Sequence, residues 1–172
     1  MMPLNNQPAP EFSLPDLKGM LHPLHETLGQ IVILNFWSAE CPHAARADAE
    51  LTAYLKAWGP SVTLLSIASN ADEPPDLLAQ VAAERGLPMV LIDPKGNIAD
   101  LYGAVTTPHL FVVDPGGILR YQGAIDDVTF RHRTPTRHYL LDAVDSLIAG
   151  ALPNPAETPP YGCTIMRFSP DQ

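Results

Sequence analysis

The sequence of 172 residues has little positive charge, little cysteine and no long apolar run. Ten Lys and Arg stand against nineteen Asp and Glu, and the formal net charge is −9. This balance argues against nucleic acid and anionic membrane surfaces as partners, because both are bound through clustered basic residues. No stretch reaches the roughly 20 apolar residues of a membrane span, so we expect no membrane helix. Two cysteines are too few for a disulfide-dense scaffold, and each is therefore weighed separately.

The start of the chain, Met1 to Asn6, has neither the basic region nor the apolar stretch of a secretory signal. We therefore expect a cytoplasmic protein. At 172 residues the chain is long enough for one domain with a buried core of its own.

Apolar residues alternate along the chain between strand-like runs and helix-like periodicity. Ile31–Trp37 and Val62–Ala68 are nearly continuous apolar runs, which is typical of strands buried on both faces. A turn sequence at 16–19 between two short apolar runs predicts a hairpin over 12–24. The other predicted strands are 89–92, 110–113 and 118–121, and the predicted helices are 42–58, 72–85, 98–102 and 139–148.

This order of elements predicts an α/β fold, with a mixed central sheet flanked by helices on both faces and an N-terminal β-hairpin. We assign residues 10–152 to a single domain. Residues 1–9 are predicted to form an N-terminal arm, and residues 153–172 a Pro-rich C-terminal tail that carries Cys163.

Cys41 is the residue at which a buried strand is predicted to turn into a helix. A sulfur there lies near the free N–H groups of the first helical turn, which favour thiolate over thiol and lower the cysteine pKa. His43 adds positive charge when it is protonated, whereas Glu40 opposes the thiolate unless it points to water. Pro42 suits the first helical position, where its missing N–H is not needed. Cys41 is therefore the candidate nucleophile, and a buried, inert cysteine is the alternative.

Residues 36–44, Phe-Trp-Ser-Ala-Glu-Cys-Pro-His-Ala, resemble the active-site segment of thioredoxin-like proteins. Residues 10–14 and 29–37 resemble the entry to the redoxin branch of that superfamily. This branch includes the alkyl hydroperoxide reductase/thiol-specific antioxidant (AhpC/TSA) family and the thioredoxin-like proteins of cytochrome maturation. Thr107-Pro108 resembles the cis-proline loop of these proteins. The resemblance covers about residues 8–150 and implies a thioredoxin-like fold.

The resemblance also implies where a substrate binds. In these proteins the cis-proline faces the active cysteine and helps to hold an extended substrate segment. It therefore implies a cis Thr107–Pro108 bond, with both residues on the substrate-binding face. Pro42 and Trp37 are predicted to belong to the same face, with Trp37 as a wall beside the active turn.

The sequence departs from the family pattern in ways that limit its chemistry. The second cysteine of C-x-x-C is replaced by Ala44, so Cys41 needs a thiol from elsewhere to complete a disulfide. The buried aspartate of thioredoxin corresponds to Asn35, which cannot take a proton. Against the peroxiredoxin pattern P-x-x-x-T-x-x-C with a distant arginine, Leu34 occupies the proline position and Pro108 the arginine position, although Ser38 can stand for the threonine.

Cys163 lies in the tail segment Tyr161-Gly162-Cys163-Thr164-Ile165. Some redoxin-like proteins with a single active-site cysteine carry a similar Gly-Cys-x-Ile segment near the C-terminus. The resemblance implies that Cys163 is the resolving cysteine of Cys41. A free or simply packed tail cysteine is the alternative, because the sequence does not place the tail.

Basic and metal-ligating side chains give weaker signals. His22 and His25 flank a turn but have no further ligands at metal spacing, so we predict no metal site. His109 follows the predicted cis-proline and either tunes the Cys41 thiolate or is a structural residue. Arg46, one turn further along the helix, either adds positive potential near Cys41 or is a solvated helix residue. The basic segment 131–138 is interpreted as a solvated loop that can attract an acidic partner.

Together these features predict a thiol-dependent oxidoreductase that exchanges disulfides through Cys41, with His43 supporting the thiolate and Cys163 as a possible resolving cysteine. A peroxiredoxin-like thiol peroxidase that reduces hydroperoxides is one alternative, and a non-enzymatic thioredoxin-like binding module is another. The expected partners are an external dithiol reductant of the thioredoxin type and a protein disulfide or hydroperoxide substrate. We expect no metal, organic cofactor, nucleic acid or membrane among the ligands.

Overall fold

Strands and helices alternate through residues 3–167, which are the residues that the computed structural model describes. In chain order the strands are β1 Ser13–Pro15, β2 Leu21–Pro23, β3 Ile31–Trp37, β4 Val62–Ala68, β5 Val90–Ile92, β6 Thr106–Thr107, β7 His109–Val113, β8 Leu119–Gly123 and β9 Cys163–Thr164. The helices are α1 Pro42–Trp58, α2 Pro75–Arg85, α3 Asn97–Tyr102 and α4 Tyr139–Ile148, and short 3-10 turns occupy Leu24–Thr27 and Gly59–Ser61.

A five-stranded mixed sheet with the order β5-β4-β3-β7-β8 forms the centre of the fold. The strand β3 pairs parallel with β4 and antiparallel with β7, and each of its seven residues is buried. One face of the sheet packs against α1 and α4, and the other face packs against α3 and the β1–β2 hairpin. The predicted mixed sheet with helices on both faces and an N-terminal hairpin is therefore confirmed.

The helix α1 starts directly after the central strand. Cys41 is its N-cap and Pro42 its first residue, as the sequence predicts. Its buried stripe consists of Ala44, Ala47, Asp48 and Leu51, of which only Asp48 is charged. Gly59 ends the helix with a φ of 76°, a left-handed conformation that glycine adopts without a steric penalty.

The observed elements differ from the predicted ones mainly at their ends. The helix α2 starts at Pro75 and not at Asp72, because residues that precede proline favour extended backbone. The predicted hairpin strands move by one or two residues to β7 and β8. Sequence patterns also missed β6 and β9, a two-stranded antiparallel sheet that joins the tail to the loop before Pro108. Among residues 3–167, no helix has the length and apolarity that crossing a bilayer requires.

Candidate active site

Cys41 lies where the central strand passes into α1, and 4% of the residue is exposed. Its carbonyl oxygen accepts the hydrogen bond of the Ala45 N–H at 3.0 Å, the first bond of the helix. The sulfur therefore sits beside the amino end of a 17-residue helix, which favours a negative charge there. Glu40, the neighbouring like charge, is exposed to water, where its repulsion of a thiolate is screened.

Cys163 is disulfide-bonded to Cys41. The two Cα atoms are 6.2 Å apart, within the range that a disulfide bridge spans. The tail strand β9 brings Cys163 there, because Cys163 pairs with Thr107 in the antiparallel β6–β9 sheet. Of the two interpretations left open for Cys163, the structure supports the one in which the tail cysteine reaches Cys41.

Thr107 and Pro108 lie against the disulfide. The peptide bond between them is cis, as predicted. The Cys41 sulfur lies 3.1 Å from the carbonyl oxygen of Thr107. Both residues are buried, because the tail covers them through its pairing with Thr107 and through Gly162. Their predicted contact with substrate stays a prediction, since the chain's own tail occupies this face.

His43 and Pro42 lie on the outer side of the active turn. The His43 ring makes an edge-on contact with the Tyr161 ring, with 5.1 Å between ring centroids. His43 is half-buried by this contact, whereas Pro42 is exposed. The structure thus places His43 against the tail, where its partner Tyr161 precedes Cys163 by two residues. Its predicted support of the thiolate stays a prediction.

Trp37 does not form a wall beside the turn. Its side chain is fully buried, and its indole Nε1–H donates to the Asp48 carboxylate at 2.7 Å. A fully buried ring offers no surface to a substrate, so the predicted substrate contact is wrong in this structure. The residue belongs to the floor beneath Cys41, because it ends the buried strand that leads into the turn.

A buried ion pair lies beneath the active turn. Arg85 donates to the Asp48 carboxylate at 2.9 Å and to the Ala39 carbonyl oxygen at 2.7 Å, so one guanidinium ties α2 to α1 and to the turn. The Asp48 side chain is 1% exposed. Burial raises its pKa, and the bonds from Arg85 and Trp37 oppose the rise. This pair was not predicted from the sequence, although a carboxylate within the apolar stripe of α1 is a visible signal.

Glu73 fixes the residues just before Cys41. Its carboxylate accepts hydrogen bonds from the Ser38 hydroxyl at 2.5 Å, the Ala39 N–H at 2.6 Å and the Asn70 amide at 2.5 Å. Ser38 is buried and committed to Glu73, so its hydroxyl is not directed at a reactant beside Cys41. Glu73 lies 35 residues from Ser38 in the chain, and no local pattern pointed to it.

Two other predicted residues have structural partners. Arg46 binds the Asp126 carboxylate through both terminal nitrogens at 2.7 and 3.1 Å, so the interpretation of a solvated arginine is wrong. The carboxylate is 2% exposed and needs this cation. Asn35 donates to Ser66 at 3.4 Å, while its own carbonyl oxygen is buried without a partner among the described residues.

His109 is a structural residue at the start of β7. It is 3% exposed, and its Nδ1 accepts the N–H of Val105 at 3.2 Å. Burial lowers the pKa of His109 to about 4, so its ring is neutral at pH 7 and adds no positive charge near the sulfur. Of the two interpretations given for His109, the structure supports the structural one.

His22 and His25 make acidic contacts away from the disulfide. His22 lies 2.8 Å from Asp16, and His25 lies 3.1 Å from Glu11. Across residues 3–167, no group of three metal-ligating side chains converges. The basic segment 131–138 is mostly exposed, as predicted for a solvated loop.

Comparisons with known proteins agree with the fold and the disulfide chemistry. The model of the AhpC/TSA family matches residues 6–122, which include the Cys41 turn and Pro108 but not Cys163. A thiol:disulfide interchange protein DsbE from Allochromatium vinosum is 36% identical over 131 residues, covering 72% of this chain and 70% of that protein.

Two solved structures extend the comparison to the fold. An uncharacterized conserved protein from Geobacillus kaustophilus is 26% identical, with a TM-score of 0.88, and the match covers 99% of this chain and 94% of that one. The thioredoxin domain of a thiol-disulfide oxidoreductase from Bacteroides vulgatus is 19% identical, with a TM-score of 0.67 and coverages of 84% and 98%. The second likeness confirms the predicted thioredoxin-like fold.

Proposed function

The chain belongs to the AhpC/TSA family, and from this membership and the Cys41–Cys163 pair we propose that it exchanges disulfides with Cys41 as nucleophile and Cys163 as resolving cysteine. The family match and the similarity to a thiol:disulfide interchange protein confirm the predicted enzyme class, an oxidoreductase. The finer assignment of the two cysteines is the proposal.

The proposed reaction has two exchange steps. The Cys41 thiolate attacks a substrate disulfide, so that a Cys41–substrate disulfide forms and one substrate thiolate leaves. The Cys163 thiolate then attacks the Cys41 sulfur, which releases the second substrate thiolate and forms the Cys41–Cys163 disulfide. The substrate gains two electrons and the protein loses two. An external dithiol reduces the internal disulfide and restores both thiols.

The observation that carries this proposal is the placement of Cys163 by the β6–β9 pairing. Ala44 cannot resolve a mixed disulfide, and Cys163 is the other cysteine of the chain. Its Cα lies 6.2 Å from that of Cys41, so a thiolate at Cys163 reaches the Cys41 sulfur without a rearrangement of the tail. The amino end of α1 favours the thiolate form of Cys41, which is the form that attacks the substrate disulfide.

The experiment that tests the proposal follows the reaction of each reduced protein with oxidised glutathione by intact mass. The wild type is expected to form the internal disulfide. Cys163→Ser is expected to stop as a Cys41–glutathione mixed disulfide, and Cys41→Ser is expected to lose turnover of glutathione disulfide with a dithiol reductant. Retained turnover in Cys41→Ser, or no mixed disulfide in Cys163→Ser, contradicts the assignment.

The peroxidase alternative has less support in the site. The Ser38 hydroxyl is bonded to Glu73, both terminal nitrogens of Arg46 are bonded to Asp126, and Pro108 occupies the position of the peroxiredoxin arginine. Peroxide cleavage needs donors aimed at the leaving oxygen, and these side chains are engaged elsewhere. Turnover of hydrogen peroxide by the wild type, lost in Cys41→Ser, would reverse this preference.

The partners follow from the same chemistry. We propose a thioredoxin-type dithiol as the reductant and a disulfide, most simply one within a protein, as the substrate. A cytoplasmic location stays a prediction, which cell fractionation would check.

A further inference from the structure

The tail crosses the active site as an added strand. Cys163 pairs with Thr107 and Thr164 with Thr106, and the N–H of Ile165 donates to the Val105 carbonyl oxygen at 3.0 Å. The tail thus lies along the loop edge beside the cis-proline. Main-chain hydrogen bonds of this kind contribute affinity between an added strand and the edge that it joins.

Gly162 is the point of closest approach between this strand and the fold. A Cβ atom at this position would overlap the carbonyl group of Thr107 and lie 3.1 Å from Cδ of Pro108. The Gly162 φ is not in the left-handed region, so the demand is for space and not for an unusual backbone conformation. Any side chain at this position must push the strand, and Cys163 with it, away from Cys41.

Residues after Cys163 anchor the tail through contacts that do not involve sulfur. Ile165 is 3% exposed and belongs to the core cluster on the α3 face of the sheet. Met166 exchanges two hydrogen bonds with neighbouring residues, donating to the Asn70 side chain at 2.8 Å and accepting from the Ala71 N–H at 3.0 Å. Arg167 donates to the Ala104 carbonyl oxygen at 2.7 Å.

A second anchor lies before Cys163. The Thr158 hydroxyl lies 2.7 Å from the hydroxyl of Tyr121 and accepts the Ala124 N–H at 3.0 Å. The Thr158 N–H donates to the Gln122 carbonyl oxygen at 3.1 Å. The tail is therefore attached to β8 on one side of Cys163 and to the α3 face on the other side.

We propose that Gly162 and Ile165 are positioning residues that hold Cys163 at Cys41 in the reduced protein as well as in the oxidised one. The tail then presents Cys163 to Cys41 at a high effective concentration, so that internal closure outcompetes thiols from solution. This inference rests on the proposed function only where it assigns a catalytic role to the Cys41–Cys163 disulfide. The equilibrium that forms this disulfide can be measured with any oxidant.

The test measures that equilibrium in buffers of reduced and oxidised glutathione. The protein dithiol and one glutathione disulfide give the internal protein disulfide and two reduced glutathiones. Gly162→Ala is expected to lower the equilibrium constant by about tenfold or more, because the strand must move to make room for the methyl group. Gly116→Ala is the matched control, since a Cβ there meets only an Asp114 carboxylate oxygen at 3.4 Å in an exposed turn.

Ile165 gives a second series that does not depend on how Gly162→Ala folds. Ile165→Ala is expected to lower the equilibrium constant by about tenfold, and the conservative Ile165→Val is expected to restore most of it. In a Cys163→Ser background, Ile165→Ala is also expected to speed the alkylation of Cys41, which the docked tail shields. A merely structural residue would not change the closure equilibrium in the folded protein.

An equilibrium constant equal to the wild-type value in both Gly162→Ala and Ile165→Ala overturns the proposal. The failure of the proposed function has a different signature, namely a wild-type protein that closes its disulfide normally but does not reduce a substrate disulfide. A fall in the equilibrium constant for Gly162→Ala with no fall for Gly116→Ala supports the positioning role in either case.

Discussion

The active turn, residues 37–44, and the tail segment, residues 161–167, supply one cysteine each but are held in different ways. The turn is fixed by charged groups beneath it, the Arg85–Asp48 pair and the Glu73 carboxylate. The tail segment is fixed by backbone pairing, by the buried aliphatic side chain of Ile165 and by the hydrogen bond from Arg167 to the Ala104 carbonyl oxygen. Cys41 is therefore positioned by charged side chains of the fold, whereas Cys163 is positioned by the pairing of the tail strand β9.

This difference separates reactivity from placement. The environment of Cys41 comes from the strand and helix that adjoin it in sequence. The environment of Cys163 comes from residues far away in the chain, since its strand partner Thr107 is 56 positions away. Changes in the turn are thus expected to act on the chemistry of Cys41, and changes in the tail on how often Cys163 meets it.

The largest expected effect comes from breaking the link between the two regions. The disulfide joins residues 122 positions apart, so it removes many conformations from the unfolded chain. Reduction is expected to lower the free energy of unfolding by about 4 kcal/mol. Urea unfolding of the oxidised and reduced protein, followed by circular dichroism, measures the difference.

Cys163→Ser is the control for that experiment, because it cannot form the link. Its stability is expected to match the reduced wild type and to be unaffected by reductant. If reduction of the wild type lowered the free energy of unfolding by less than about 1 kcal/mol, the turn and the tail would already be close together in the reduced, unfolded chain through residual structure.

Sequence patterns were sufficient for the turn and for most of the fold. The apolar run before Cys41 and Pro42 after it specify a buried strand and a helix start within twelve residues, and both are present. Local rules of this kind depend on neighbours in the chain, so they can be read without coordinates. The cis bond at Pro108 came from family resemblance and not from such a rule.

Local sequence rules could not predict the position of the tail or the charged residues beneath the active turn. Cys163 lies in a Pro-rich segment with no periodicity, and its position depends on Gly162 fitting against a carbonyl group 55 residues away. Glu73 and Arg85 reach the turn from 34 and 46 residues away. Long-range pairing of single side chains leaves no repeat in the sequence, so only the folded structure reveals it.

The second largest effect is expected from Arg85→Ala, which disrupts the charged contacts beneath the active turn and leaves the tail intact. Arg85→Ala removes the cation from a carboxylate that is 1% exposed and leaves the Ala39 carbonyl oxygen without this donor. We expect the free energy of unfolding to fall by about 3 kcal/mol, because a buried charge loses its partner. Urea unfolding of the oxidised protein measures the loss.

A double-mutant cycle with Asp48→Asn sharpens this result. Once the charge on residue 48 is gone, removing Arg85 is expected to cost less than it does in the wild type. Additive losses would show that Arg85 acts through the Ala39 carbonyl alone. Arg120→Ala provides a comparison, since its partner Asp114 is 16% exposed and also accepts backbone N–H bonds, so a smaller loss is expected.

The smallest expected effect concerns the contact between the tail segment and the loop before Pro108, which runs through His109, Val105 and Ile165. His109 accepts the N–H of Val105, whose carbonyl oxygen in turn accepts the N–H of Ile165. Burial lowers the pKa of His109 to about 4, below the 6.5 of a free histidine. The folded protein thus binds this proton less readily than the unfolded chain, so stability is complete above pH 6.5 and falls as the pH drops toward 4.

At pH 5 this single group is expected to cost about 2 kcal/mol relative to pH 7. His109→Asn keeps an acceptor for Val105 without a titrating ring, and its stability is expected to change less between pH 7 and pH 5. His25→Asn, at a side chain that is 64% exposed, is expected to keep the wild-type slope. If stability fell with pH at the same slope in all three proteins, protonation of His109 would not be what sets the acid sensitivity. A flattened slope for His109→Asn alone would locate that sensitivity where the tail strand meets the loop before the cis-proline.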